Sequence, residues 1–584
     1  MSQLKRTDAR ELNMDASSTG TLSIQAILEK ANALKQDGQL EAALKYYDQA
    51  IATEPTAYLA FYQKGEILAG QNKNNQAIAH YQKSISLNPQ FPWSYNSLGL
   101  VYLRTQNFEK SISVFQKAAA LKPKSALFKS QLGNAFLKSG NLTEAATALA
   151  QSVALDPTLS ATQLHLAALA TALGDYAKAI VHYKNAISLN PSPFWPYRAI
   201  ADLSRKVKNY TQSIEYYHQA IARKPNFANG HVELGKLYQQ RGDIDRALQC
   251  YIKALNIDLD CEMAHTALRY TPVSPAQLDE LTLAYQSIIT KAPQASFVWG
   301  SLGDAFSQKG HIPRAIHAYR TSCYHRVVKK RPNLKTPDVN AQKTLGPDYI
   351  IIGAGKCGTT SLHKYIGTHP DVFLPHKKEI NFFNRERDKG LAWYLAHFPA
   401  IADSPQFITG ESTPDYFSYP GVDEDIHAVF PNTKLIVLLR NPVDRAISWY
   451  HHNVKRGLES RSFSSILETE LEQLHRAPQD AYSTINGHIG GSLYVYKLQR
   501  WLSSFSKQQC LIIKSEDFYQ NTRTIMADVF QFLNLSPFDL PTCRKHNVGD
   551  YKKADVQERQ MLQEIFRPHN QKLNDYLSRD FDWD

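Results

Sequence analysis

Tyr349-Ile-Ile-Ile-Gly-Ala-Gly-Lys-Cys-Gly-Thr-Thr-Ser-Leu362 is an apolar run that feeds directly into a glycine-rich turn carrying one lysine and three hydroxyls. Tyr349 to Ile352 predict a buried strand. Gly353, Gly355 and Gly358 let the backbone turn tightly and bring its N–H groups against a ligand. Helix is expected from about Thr359, so that its unpaired N–H groups and positive dipole end face the same point. Strand, turn and helix start together describe a cradle for an anion. The alternative is a glycine-rich connection that holds nothing.

The nucleotide phosphate loop G-x-x-x-x-G-K-S/T, begun at Gly353, would put its lysine at position 359, where the chain has Thr359. Lys356 instead stands two residues before the last glycine. The order G-x-x-K-x-G-T-T-S-L resembles the 5'-phosphosulfate loop of sulfotransferases that use 3'-phosphoadenosine 5'-phosphosulfate (PAPS). The resemblance implies that Gly355, Lys356, Cys357, Gly358, Thr359, Thr360 and Ser361 hold the 5'-phosphosulfate. Lys356 would also stabilise charge on the bridging oxygen.

Downstream, His369 to Phe383 ends in Lys378-Glu-Ile-Asn-Phe-Phe383. This is similar to the K-E-x-x-F-F block of heparan-type sulfotransferases, and the likeness implies that Glu379 is the catalytic base. Sulfuryl transfer requires a proton to leave the acceptor, which a carboxylate can take. Lys434 to Leu439 predicts a second buried strand, followed at once by Arg440-Asn-Pro-Val-Asp-Arg-Ala-Ile-Ser-Trp-Tyr-His-His452. That order resembles the family's 3'-phosphate motif, so Arg440 and Ser448 are expected to bind the 3'-phosphate. His452 falls where the heparan N-sulfotransferases carry a functional histidine and is a candidate donor on the acceptor side. Arg445 reads better as a structural arginine. Gln509 to Phe518 predicts a third strand entering a helix. His546-Asn-Val-Gly-Asp-Tyr551 resembles the late loop that closes over the PAPS phosphates, with Gly549 and Tyr551 matching best. The lysine that heparan enzymes place near the start of that loop is missing. So is the lysine of E-K-x-P-x-Y-F, where this chain has Ser412.

Proline recurs at 55, 89, 123, 157, 191 and 225, each 34 residues from the last, and again at 293. On the same clock come Ala or Ser at 43, 77, 111, 145, 179, 213, 247 and 315, and aromatics at 47, 81, 115, 183, 217, 251 and 319. Glycine falls at 38, 140, 174, 242 and 310. This pattern resembles the tetratricopeptide repeat, a helix-turn-helix unit that buries its apolar face only against its neighbours. Seven good repeats run from about Thr21 to Asp258. A degenerate one spans Leu259 to Ala292, where Pro272, Pro275 and a missing glycine weaken the pattern, and a last one runs from Pro293 to about Val328. The periodic aromatics are expected to be core packing.

With 584 residues, more than one core is required. The predicted organisation is a disordered N-terminus (1–20), a repeat solenoid (21–328), a linker (329–346) and a sulfotransferase domain (347–584). Net charge is +12, but residues 347–584 hold 27 Lys and Arg against 29 Asp and Glu, leaving 39 against 25 before them. The basic excess therefore belongs to the repeats, either for an acidic partner or as solvated helix faces. Six scattered cysteines without C-x-x-C pairing fit a reducing cytoplasm. No apolar run serves as a signal peptide or membrane anchor. Repeat-linked sulfotransferases without an anchor resemble bacterial rather than Golgi enzymes.

The expected fold is thus an α-solenoid followed by a P-loop-like, three-layer α/β domain with a parallel sheet. The expected activity is PAPS-dependent sulfation of a carbohydrate or polysaccharide, without a metal. The repeats are expected to dock a protein partner or the substrate, with no nucleic acid involved. The alternatives are a tyrosylprotein sulfotransferase, a magnesium-dependent kinase, and a repeat scaffold whose nucleotide-binding domain is inactive.

Overall fold

The structure, a computed structural model, describes residues 23–332, 346–399, 407–541 and 555–583. The expected disordered start, most of the expected linker, and the late loop with Gly549 and Tyr551 lie outside the described residues.

From Ile24–Gln36 to Ile312–Lys330 the described chain forms eighteen α-helices. The clocked small residues are sealed: Ala43, Ala77, Ser111, Ala145, Ala179, Ser213, Ala247 and Ala315 are all wholly buried. The clocked aromatics are buried too, so they pack between helices and offer no stacking stripe. The turn inside each repeat demands a left-handed residue, and Gly38, Gly140, Gly174, Gly242 and Gly310 supply it with φ of 72 to 89°. Where glycine is missing from the clock, Asn72, Gln106 and Lys208 adopt the same region at φ 60 to 61°. Packing therefore overrides local preference there.

The chain divides into two compact units, between Leu237 and Tyr238. The helices from Glu262–Tyr270 to Ile312–Lys330 thus belong to the same unit as the sheet. That sheet has five strands: β1 (Tyr349–Gly353), β2 (Val372–Phe373), β3 (Ile408–Ser412), β4 (Lys434–Leu439) and β5 (Cys510–Lys514). Their order is β2-β3-β1-β4-β5, and every pairing is parallel. The three strands anticipated from apolar runs are β1, β4 and β5. β1 is buried throughout and β4 in all but its first residue, as expected for central strands of a covered parallel sheet. β2 is too short, and β3 (Ile-Thr-Gly-Glu-Ser) too polar, to announce themselves by hydrophobicity. Because all strands run the same way, their C-terminal ends share one edge, the edge at which open α/β sheets bind ligands.

Candidate active site

Three neighbouring strands deliver the candidate residues to that edge. β1 ends in residues 354–358, and the helix Thr359–Thr368 begins straight after Gly358. Gly358 sits at φ 99°, and a Cβ there would come within 2.7 Å of the Tyr519 hydroxyl, so glycine is required on both counts. The loop is tied from several sides. Ala354 N–H donates to Leu438 O at 2.8 Å, Arg445 Nε donates to Gly355 O at 3.3 Å, and Ser515 Oγ donates to Cys357 O. The N–H of Cys357 donates to Ala354 O at 3.3 Å, a bond that closes the turn. Its thiol is wholly buried, and burial pushes it up to about 11, which leaves it protonated and inert. Thr359 and Ser361 are buried in the first helical turn and Thr360 is half-buried.

β4 ends at Leu439, and Asn441 then caps the helix Pro442–Lys455: its side chain accepts from Val443 N–H at 3.0 Å and Asp444 N–H at 3.2 Å. Pro442 fills the first turn, where no N–H is needed. Arg440 is thereby fixed between strand and cap. Its carbonyl accepts from Tyr494 OH at 2.9 Å, and its guanidinium donates to Lys356 O at 3.5 Å. Ser448 is buried further along the same helix. Arg445 donates to the carbonyls of Gly487 at 2.9 Å and His488 at 3.3 Å as well as to Gly355, the structural role expected of it.

Glu379 reaches the same edge through β3, since its N–H donates to Ser412 O at 3.0 Å. Its carboxylate is ion-paired with Lys378 and about 42% exposed, open to an incoming group. Lys356 and Glu379 both hold left-handed backbone, at φ 72° and 66°, although neither is glycine. Such strain persists where surrounding contacts over-determine it, typically at functional sites.

The electrostatics join these pieces. Burial, and after it the guanidinium groups of Arg440 and Arg445, push the Lys356 ammonium below its usual range, with Glu379 pulling the other way. A lysine crowded by two arginines is a site short of negative charge, which a bound anion would supply. His452 is pushed down to about 4, first by burial, then by Lys356 and Arg456, and Glu379 again opposes. It is therefore a neutral imidazole at physiological pH, with the Trp449 ring centroid 5.8 Å from its own. The charges of Arg440 and Glu379 are thus felt at Lys356, and those of Lys356 and Glu379 at His452. The described structure shows Gly355, Cys357, Gly358, Thr359, Thr360 and Ser361 in the adjoining loop and helix start.

Three features of the site were given no role by the sequence. Glu411 on β3 is wholly buried, accepting from Tyr394 OH at 2.6 Å and Thr413 Oγ1 at 2.7 Å, and burial raises its carboxyl. It supports the strand from which Glu379 hangs. Tyr494 braces the Arg440 carbonyl, and the Tyr519 hydroxyl fills the space beside Gly358, without any motif to mark them. Tyr270, at the end of the helix Glu262–Tyr270 of the degenerate repeat, is 59% exposed. Partial burial, and then the Glu379 charge, raise its pKa. The only hint in the sequence was the repeat's departure from the 34-residue pattern.

Residues 346–575 match the family model for a sulfotransferase domain, and tetratricopeptide-repeat models match 24–56, 65–106, 94–125, 130–193 and 205–269. With the parallel sheet and its basic edge, these define the organisation: tetratricopeptide repeats fused to a domain that matches the sulfotransferase family. Among its relatives is the membrane-associated sulfotransferase kil1 of Dictyostelium discoideum, 26% identical over 44% of this chain and 70% of that protein. The Homo sapiens bifunctional heparan sulfate N-deacetylase/N-sulfotransferase 2 is 28% identical over 40% of this chain and 30% of its own. The Homo sapiens heparan sulfate glucosamine 3-O-sulfotransferase 3B1 is 32% identical over 41% of this chain and 65% of its own. The matched region thus spans less than a third of the bifunctional enzymes. Among the described residues, no helix is long and apolar enough to cross a membrane.

Proposed function

We propose that the protein moves the sulfuryl group of PAPS to a hydroxyl or amine of a carbohydrate, and that its repeats dock the substrate or a partner. The observation that carries this reading is the convergence of Lys356, Arg440 and Glu379 at one sheet edge, two cations beside a solvent-open carboxylate. The donor set fits PAPS: a lysine on a strand-to-helix turn for the 5' end, and an arginine with Ser448 for the 3'-phosphate. PAPS supplies an activated sulfuryl group. The chain's own residues do the rest. Backbone N–H groups of 355–360 and the hydroxyls of Thr359, Thr360 and Ser361 orient the phosphosulfate, with Gly549 and Tyr551 assigned to its closing loop. Lys356 neutralises charge as it develops on the leaving oxygen. Glu379 takes the acceptor's proton. His452, neutral, offers one ring N–H on the acceptor side.

A carbohydrate acceptor is supported by the two human relatives, whose names place them on heparan sulfate. A cytoplasmic location is supported by the scattered spacing of the six cysteines, none of them in a C-x-x-C pair. The test is transfer of radiolabel from PAPS to a panel of polysaccharides, including N-desulfated heparan sulfate, alongside tyrosine peptides and lipids. Label on a polysaccharide is expected. Label on the peptides alone would select the tyrosylprotein reading, and tight binding of adenosine 3',5'-bisphosphate without any transfer would select the inactive scaffold.

A further inference from the structure

The segment that carries Glu379 is anchored in the repeats as well as on the sheet. Three residues before it, the His376 side chain is buried in a socket made by the last two repeats. Arg269 Nη2 donates to His376 Nε2 at 2.7 Å, while Arg269 Nε donates to Asp304 Oδ2 at 3.0 Å. Asp304 Oδ1 accepts from Tyr319 OH at 2.8 Å. A guanidinium has only donors, so His376 Nε2 must accept and the ring is neutral. Burial accordingly pushes His376 down to about 3. Burial alone would raise the Asp304 carboxyl, but the Arg269 guanidinium opposes it, and the carboxyl is held well below the usual carboxylate range. At Gly300 a Cβ would come within 2.2 Å of the His376 ring, so the last repeat gives up a side chain to admit it.

The repeat period shows how unusual Arg269 is. At the same place in the other repeats, positions 31, 65, 99, 133, 167, 201, 235 and 303, the chain has only alanine or glycine. There the facing helix leaves no room: a Cβ at Gly65, Gly99 or Gly303 would meet Tyr81, Phe115 or Tyr319 at 2.5 to 2.7 Å. An arginine at this position breaks the packing rule of the array, and such breaks mark function.

We propose that Arg269, held by Asp304, is a positioning residue: through His376 it fixes the loop on which Glu379 turns, so that the carboxylate faces Lys356. This rests on the reading of Glu379 as the base. The left-handed backbone at Glu379 and Asn381, φ 66° and 60°, needs restraint from both sides. Ser412 supplies one and the repeat socket the other. The solenoid's end is then a working part of the active site.

The test uses the full chain with radiolabelled PAPS and N-desulfated heparan sulfate, and compares Arg269→Ala, Arg269→Lys, Glu379→Gln and the Arg269→Ala/Glu379→Gln pair. Alanine is what other repeats carry, so the fold should persist, and thermal unfolding checks it. If the midpoint falls, Arg269→Gln, which retains the stem, replaces Arg269→Ala. Arg269→Ala is expected to lower kcat about 10- to 100-fold. Calorimetric affinity for adenosine 3',5'-bisphosphate should be unchanged, and Arg269→Lys should recover part of the loss. In the Glu379→Gln background Arg269→Ala should cost nothing more, because both act through one carboxylate. Ser307→Ala, which removes the 3.0 Å bond from Trp393 Nε1 elsewhere on the same contact, should leave kcat alone. Additive losses in the pair, or an equal loss in Ser307→Ala, would overturn the positioning role alone. Full activity in Glu379→Gln would remove the base, and this proposal with it.

Discussion

Glu379 and Lys356 both stand on left-handed backbone, and the Glu379 charge opposes the lowering of the Lys356 ammonium. As the proposed base, Glu379 should be dispensable for binding and needed for turnover. Glu379→Gln is expected to lower kcat by about 10²–10⁴ with calorimetric affinity for adenosine 3',5'-bisphosphate preserved. Arg440→Ala should weaken that nucleotide and spare adenosine 5'-phosphosulfate, which lacks the 3'-phosphate; equal weakening of both would refute its assignment. Tyr270 tests whether the repeats touch the acceptor. Tyr270→Ala should raise the acceptor KM several-fold while kcat and nucleotide affinity hold, since loss of a stacking ring at an open site removes about 1 kcal/mol.

At the scale of elements, function depends on how strands hand over to helices. β4 stops at Leu439 because Asn441 and Pro442 commit the chain to helix, and Arg440 is caught in between. Asn441→Ala leaves two N–H groups unpaired and should cost about 0.5–2 kcal/mol of stability by chemical denaturation. It should also loosen nucleotide binding, because Arg440 and the cap share a backbone; a stability loss with unaltered affinity would uncouple the two. The Lys356 loop is braced from β4, from the helix Pro442–Lys455 and by Ser515 just after β5. Its geometry is therefore a property of the whole sheet edge.

For the whole molecule, burial has taken several histidines out of the physiological range. His363 and His376 are pushed down to about 3 and His165 to about 4, in each case first by burial. Unfolded, these rings take up protons near 6.5, while the folded chain refuses them until about 3 to 4. Acid therefore favours the unfolded chain, and this part of the stability is complete above about 6.5 and lost progressively below it. The unfolding midpoint should fall clearly between pH 7.5 and 5. Equal midpoints would mean that these rings are protonated in the fold.

Much of this protein was legible from residue order alone. The solenoid followed from a 34-residue clock, because each repeat obeys the same packing constraint and so repeats the same residues. Glu379 was singled out by the family resemblance alone, whereas the strand-turn-helix of 349–368 and the strand that ends just before Arg440 were legible from apolar runs and glycine turns. β2 and β3 were not, since a two-residue strand and a polar one leave no hydrophobic trace. Nor did spacing disclose that Glu379 N–H donates to Ser412 O, or that Arg269, in the repeat with the weakest pattern, donates to His376 three residues before Glu379. Those depend on which surfaces come together once the chain is packed. Local sequence encodes the elements and the chemistry they carry, whereas partners distant along the chain are chosen by shape, burial and charge in three dimensions.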